Sequence, residues 1–239
     1  MLLEIAVFNI ESALLAANAG ADRIELCENI TEGGTTTSYG ALKTVREKLA
    51  IPIFPMIRAR GGDFLYSEDE FEAMKKDILL CKELGFEGLV TGILNSDGSV
   101  DMERTKQLVD LAYPMEVTFH RAFDRSKDPL QSLEDIIACG CQRILTSGQV
   151  PSAWDGKELI KQLVEQGGDR IIIIPGSGVN SGNVLQLAEY TGAKELHTSA
   201  RIFVPSKMRY AKESMKENLQ SVLVDEEEIK KMKKILKGK

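Results

Sequence analysis

Eight short runs rich in β-branched and aliphatic residues recur along this chain: "LLEIAV", "RIELC", "IFPMI", "GLVTGI", "EVTFH", "RILTS", "RIIII" and "ELHTS". Their spacing averages roughly 28 residues, the length of one strand followed by one helix. Amphipathic patterns fill the gaps. "SEDEFEAMKKDILLCKELG" opens with Ser67 and Glu70 in capping-box spacing, repeats Phe71, Met74, Ile78 and Cys81 as an apolar stripe, and stops at Gly85. "DPLQSLEDIIACG" places Asp128 as N-cap, Pro129 at the first helical position and Gly140 at the stop. "DEEEIKKMKKIL" starts at Asp225, with Glu228 three residues on, and runs from acidic to basic along the helix dipole. Eight such units in 239 residues predict an α/β fold, a single (β/α)8 TIM barrel over residues 1–239 with an extended segment after strand eight. A doubly wound open sheet would more usually carry a glycine-rich loop after its first strand. Here "FNIES" follows, with no glycine.

The connections are unequal. Helix-to-strand links such as "GAD", "AIP" and "GFE" are short, whereas strand-to-helix links such as "ENITEGGTTTS", "RARGGDFLYS", "RAFDRSKD" and "PGSGVNSG" are long and polar. In a barrel the strand-to-helix loops share one face, the catalytic one. Long loops in a compact domain are usually functional or part of an interface, so a site is expected at that mouth. The longest link, residues 200–224, is the candidate for contacts between copies of the chain.

Side chains alternate along a strand, so parity decides which share a face. The outer face must be apolar because helices cover it. Ile24 and Leu26 therefore point outward, and Glu25 and Cys27 inward. The same test turns Glu4, Arg58, Thr118, His120, Glu195, His197 and Ser199 inward, with Thr146 at the end of strand six. A barrel interior is ordinarily layered with Val, Ile and Leu. Unpaired buried charge costs several kcal/mol per ion, so the inward charges must pair, face a wet pocket or bind a ligand. One reading is an ion-pair network that fixes barrel packing. The other is an acid–base pocket, and the placement of both histidines near the mouth favours it. Glu25, His120 and Arg58 are its catalytic candidates. Gly176, Ser177 and Gly178 after strand seven, with Ser199 and Arg201 after strand eight, occupy the usual phosphate position of the fold, and Asn180 or Ser181 is expected to cap the next helix. Arg58 and Arg60 offer guanidinium forks for carboxylate or phosphate. Arg121 and Asp124 serve either the site or the anchoring of their loop.

Cu(I) prefers thiolate and thioether ligands. The chain has four cysteines and no C-x-x-C. Cys139 and Cys141 join a helix to strand six on the opposite face, and Cys81 lies in a helix stripe. Cys27 is the one thiol expected on the functional face, with His120, His197, Glu25 and Met56 as potential co-ligands for a metal. Cysteines without framework spacing fit a reducing cytoplasm. A net charge of −6 gives no support to a nucleic-acid partner. No apolar run reaches membrane-span length, and "MLLEIAVFN" lacks the basic leader of a signal peptide.

Six motifs in order, "RIELCENITEGGTTTSYG", "RARGGDF", "VTFHRAFD", "RILTSG", "PGSGVN" and "ELHTSAR", resemble the CutC family over nearly the whole chain. That resemblance implies a TIM barrel, a cytoplasmic homo-oligomer (dimer or tetramer), and a link to copper tolerance and Cu(I) binding. Of the family's candidate copper ligands only Cys27 maps clearly onto the mouth. Ala59 and Thr37 stand where the family often has proline, and Thr198 stands where some relatives carry cysteine, which removes one thiol. Two functions are therefore expected: copper homeostasis through a bound copper ion, or an enzyme acting on a small anionic or phosphorylated metabolite. In the second, Glu25 and His120 handle protons, Arg58 and Arg60 clamp the anion, and the loops at Gly176–Gly178 and Ser199–Arg201 hold phosphate.

Overall fold

The computed structural model describes residues 1–238. The eight runs form strands β1 (Leu2–Val7), β2 (Arg23–Leu26), β3 (Ile53–Pro55), β4 (Gly88–Thr91), β5 (Glu116–Phe119), β6 (Arg143–Thr146), β7 (Ile172–Pro175) and β8 (Glu195–Thr198). Between them lie α1 (Ile10–Asn18), α2 (Tyr39–Lys48), α3 (Glu68–Glu83), α4 (Met102–Ala112), α5 (Pro129–Ala138), α6 (Lys157–Gly167) and α7 (Val184–Thr191), and α8 (Glu226–Lys237) closes the chain. The strands pair in parallel in two sets of four, β3-β2-β1-β8 and β4-β5-β6-β7. A bridge between Met56 and Val90, with the Ile57 N–H donating to the Val90 carbonyl at 2.7 Å, joins β3 to β4. The arrangement is the expected TIM-barrel-like α/β fold.

Local chemistry sets the helix limits. Ser67 and Glu70 form a complete capping box on α3. Asp128 accepts from the N–H groups of Leu130 and Gln131, and Asp225 from those of Glu227 and Glu228. The start of α7 differs from expectation. Neither Asn180 nor Ser181 caps it; the Asn180 N–H donates to Asn183 Oδ1 at 2.9 Å, and this extra turn delays the helix to Val184. Glu228 does not reach back to its own N-cap but accepts the Ser181 N–H at 2.6 Å, tying the loop after β7 to α8.

Residues 200–224 are an arm rather than a plain loop. Strands β9 (Arg201–Val204) and β10 (Ser221–Val224) form an antiparallel pair of their own. Asp225 N–H to Ala200 carbonyl (2.6 Å) and Asn9 Nδ2 to Val222 carbonyl (2.7 Å) fasten its base. Ile202, Phe203, Met208, Tyr210, Met215 and Leu219 on the arm are exposed.

The large apolar core lies between strands and helices, where Leu3, Ile5, Ile24, Leu26, Ile144 and Leu196 are fully buried. The inside of the barrel is different. Strand register sets Glu4 opposite Arg23 on one side and His197 on the other. Arg23 donates through Nε to Glu4 (2.5 Å) and through Nη2 to Glu195 (2.6 Å). Arg143 donates through Nε to Glu195 (3.1 Å) and through Nη1 to Glu116 (2.7 Å). Both guanidiniums lie over the Phe54 ring, at 4.8 and 5.4 Å from its centroid. Charge paired with charge, not an aliphatic layer, fills this end. One inward expectation fails: Thr146 shares parity with Ile144, and its hydroxyl donates to Asp124 at 2.5 Å, so Leu145 takes the inward place.

Breaking a buried pair strands the remaining charge, which costs about 3–5 kcal/mol. Arg23→Met should lower the unfolding free energy by about that amount in urea denaturation. The double variant Glu4→Gln, Arg23→Met should lose less than the single one.

Candidate functional site

A cavity of about 850 Å³ opens at the carboxyl ends of the strands. Glu25, Arg58, His120 and His197 all line it, so the four inward groups converge as parity predicts.

Its floor is a chain of titratable groups. Glu4 Oε1 lies 2.7 Å from His197 Nδ1, and His197 Nε2 lies 3.8 Å from Glu25 Oε2. Burial alone would raise the pKa of Glu4, but Arg23 and His197 hold it down at about 2. Burial would lower that of His197, but Glu25 and Glu4 overcome this and raise it. Burial raises Glu25, against the pull of His197 and with a further push from the Glu4 charge. Glu25 Oε1 has no hydrogen-bond partner. Gly176 is not in the cavity wall; a Cβ there would lie 2.6 Å from Leu145 Cδ1 and 3.2 Å from His197 Cδ2, so its bare backbone is what lets His197 stand in place.

His120 caps the short 3-10 turn Arg121–Arg125. Its Nδ1 accepts the Ala122 N–H at 3.2 Å, so the neutral ring carries its proton on Nε2. That Nε2 is buried and unpartnered. Burial and the nearby Arg58 cation lower the His120 pKa to about 3, so the ring is neutral at physiological pH. Gly92 leaves it room: a Cβ there would sit 2.5 Å from Nδ1. Phe64 packs on it with ring centroids 4.9 Å apart.

Three expectations about side-chain use are corrected. Arg58 spends its terminal nitrogens on backbone carbonyls of Glu32 (2.6 Å), Gly34 (2.8 Å) and Gly62 (2.8 Å) and stacks on Phe64, so it laces two loops together rather than clamping an anion, and only its Nε is unpartnered. Arg60 lies outside the cavity wall, held by Glu70 (2.6 Å), Asp63 (2.9 Å) and the Leu65 carbonyl (2.7 Å). Cys27 faces inward but not into the cavity. It belongs to a small buried cluster with Phe54, Met56 and Val90, beneath the backbone of Gly34. Its thiol donates to Glu25 Oε2 at 3.4 Å, and burial with the Glu25 carboxyl pushes its pKa well above the ordinary thiol value.

The rim is built from the loops after β5, β7 and β8. Asp124 anchors it, accepting from Arg121 Nε (2.7 Å), Thr146 Oγ1 (2.5 Å) and the Ser147 and Gln149 N–H groups (3.1 Å each). Ser177, Gly178, Ser199 and Arg201 line the cavity as expected. Ser177 and Ala200 hold left-handed backbone (φ 83° and 40°), a strain that clusters at functional sites. The Ser177 hydroxyl is engaged with the Pro151 carbonyl at 2.7 Å, and Thr198 donates to the Val179 carbonyl at 2.7 Å. Asp225 and Glu228 also face this cavity, and Asp225 occupies the first N–H groups of α8, so that helix end offers no anion site. The free positive charge comes from elsewhere: Arg125 and Arg201 line the cavity, and among the described residues neither has an ion-pair partner. Arg125 was visible in "HRAFDR", one turn beyond His120, but its strand parity is lost in the loop.

Among the described residues no three His, Cys, Asp or Glu side chains group so as to hold a metal ion. Cys27 is a protonated thiol behind the wall, and His197 is held between two carboxylates. Among the described residues no closed set of thiol, imidazole and carboxylate ligands is preformed for Cu(I).

The fold is TIM-barrel-like, and its cavity is lined by titratable groups below and by charged side chains of both signs above. The chain belongs to the CutC family, whose model matches residues 1–202. It is 52% identical over 209 residues to a family protein CutC of Chromobacterium violaceum, covering 87% of this chain and 85% of that one. It is 48% identical over 214 residues to the human copper homeostasis protein cutC homolog, covering 90% and 78%. The solved structure of CutC from Streptococcus agalactiae is 35% identical with a TM-score of 0.80, over 83% of this chain and 98% of that one. Phosphoribosylanthranilate isomerase from Thermotoga maritima, 14% identical at a TM-score of 0.61 over the whole of both chains, shares the fold alone.

The floor has a pH signature. The folded pKa of Glu4, about 2, lies below the unfolded value of about 4.3, so its ionised form contributes stability that is complete above the unfolded value and is lost as pH falls toward the folded one. Urea unfolding followed into that acid range should show a slope that Glu4→Gln flattens; an unchanged slope would contradict the pairing.

Proposed function

We propose that the cavity binds a small anionic metabolite and acts on it by proton transfer. The observation that carries this reading is that three residues lining one cavity each keep a buried polar atom without a partner, Glu25 Oε1, His120 Nε2 and Arg58 Nε; of these Glu25, on β2, and His120, at the end of β5, come from the two different sheets and can exchange a proton with a ligand. Leaving a buried polar atom unsatisfied costs about 1–3 kcal/mol, and such atoms need a reason. Glu25 and His120 handle protons, Glu4 and His197 hold Glu25, and Arg125 and Arg201 draw the anion, with Ser177, Gly178 and Ser199 beside it. In thermal-shift titrations, glycerol 3-phosphate and small carboxylates should raise the melting temperature. Arg125→Gln and Arg201→Gln should each weaken binding about tenfold, the effect of one charge-assisted hydrogen bond; unaltered affinity in both variants would remove the rim from the reading.

The name of the human relative supports a second reading, copper homeostasis; in it a copper ion is the cargo and the cytoplasm the compartment. Cys27 and Met56, two sulfur-bearing residues packed in one cluster, favour it, as soft donors suit Cu(I). Four free, buried thiols suit a reducing compartment, and the apolar arm suits a homo-oligomer. In competition with a Cu(I) chelator, Cys27→Ser should abolish uptake by the protein. Equal uptake in the variant would eliminate Cys27 as the donor.

A further inference from the structure

We infer that the proton transfer takes place beside a carbonyl: the substrate is a small α-hydroxy aldehyde or ketone with an anionic end, Glu25 removing the C–H proton and His120 Nε2–H holding the oxygen that becomes an enediolate. This rests on the reading of the cavity as an acid–base site for an anionic metabolite.

The groups on the floor select this chemistry. No lysine lines the cavity among the described residues, so no Schiff base can form on its wall. Cys27 is behind the wall, and the Ser177 and Thr198 hydroxyls are spent on backbone carbonyls. Among the carboxyls and imidazoles that line the cavity, Glu25 and His120 are the two that keep a buried polar atom without a hydrogen-bond partner, a carboxyl oxygen and the N–H of a neutral ring. A carboxylate suits proton abstraction from carbon. A neutral imidazole donor, fixed by its Nδ1 contact, suits a developing oxyanion. His197, 3.8 Å from Glu25 Oε2 and itself held by Glu4, is a positioning residue that leaves Oε1 as the working oxygen.

The step balances without a redox partner. The Glu25 carboxylate takes the proton from the hydroxyl-bearing carbon. The C–H electron pair becomes the C=C bond, and the carbonyl pair moves to oxygen, where His120 Nε2–H donates to it. The hydroxyl proton crosses to that oxygen through His120, and Glu25 returns its proton to the former carbonyl carbon. The product is an isomer of the substrate. The anionic end rests at the rim, where Arg125 and Arg201 stand. The cavity volume is that of an ordinary small-molecule site.

The test uses the whole protein with dihydroxyacetone phosphate and ribulose 5-phosphate in D₂O, following loss of the C–H signal beside the carbonyl by NMR. Calorimetric binding of glycerol 3-phosphate, which has no carbonyl, and of phosphoglycolohydroxamate, a planar enediolate mimic, runs alongside. Exchange by the wild type is expected, falling about 100-fold in Glu25→Gln while glycerol 3-phosphate affinity is kept. His120→Gln, which keeps an N–H donor, should retain more exchange than His120→Phe. The mimic should bind the wild type at least about 100-fold more tightly than glycerol 3-phosphate, which decides the matter even if the variants fail to fold. Binding of glycerol 3-phosphate with no exchange of either probe and no preference for the mimic overturns this inference and leaves the anion site standing. Binding of none of these anions overturns both.

Discussion

The Glu4 carboxylate, sealed inside the barrel between Arg23 and His197, is the constraint from which the rest of the interior follows. A charge so placed cannot be solvated, so its neighbours must be cations, and their own remaining valences must be met in turn. Arg23 passes the demand to Glu195, Glu195 to Arg143, and Arg143 to Glu116 at the rim of the opposite end. His197 passes it the other way, to Glu25 and the mouth. One network thus does both things that buried charge can do. Below Glu4 every partner is satisfied and the charges hold the staves in register. Above it the satisfaction stops at Glu25 Oε1, and the unmet valence becomes available to a ligand.

Much of this was legible in the sequence because strand parity is a rigid rule. Glu4, Glu25, His120 and His197 turn inward as alternation requires, and capping chemistry placed α3, α5 and α8. Parity gives a side but not a depth. Cys27 is on the inner side, yet the chain folds back at Gly34 over its sulfur, and a residue expected in the pocket becomes part of its backing. Nor does parity survive into loops. Arg58 and Arg60 look like equal forks in "RARGGDF", but one is consumed by carbonyls of its own and the preceding loop and the other by the first turn of α3. Arg125 escaped notice for the same reason, since a 3-10 turn set its direction. The arm at 200–224 was hidden because two four-residue strands between polar stretches lack a long alternating pattern.

Family membership and site chemistry bear on different questions. The match to CutC proteins fixes ancestry over residues 1–202, and the human relative is named for copper homeostasis. The donors are less welcoming to a metal. The thiol nearest the mouth is kept protonated by burial and by a carboxyl beside it, the opposite of the electropositive setting that makes a thiolate. His120, by contrast, is closely controlled: the Ala122 N–H sets its tautomer, burial with the Arg58 cation keeps it neutral, and bare Gly92 leaves room for the ring.

The pairing of β1 with β8 has a consequence for how the molecule comes into being. During synthesis on a ribosome, Glu4 can meet Arg23 almost at once, since the two are 19 residues apart, but it waits much longer for His197, which lies 193 residues after it. Until then the first stave carries a carboxylate with half its partners missing, and a partly emerged chain gains little by closing early. The pairing that joins the first strand to the eighth is thus also the contact that brings His197 to Glu4 and completes the floor of the pocket.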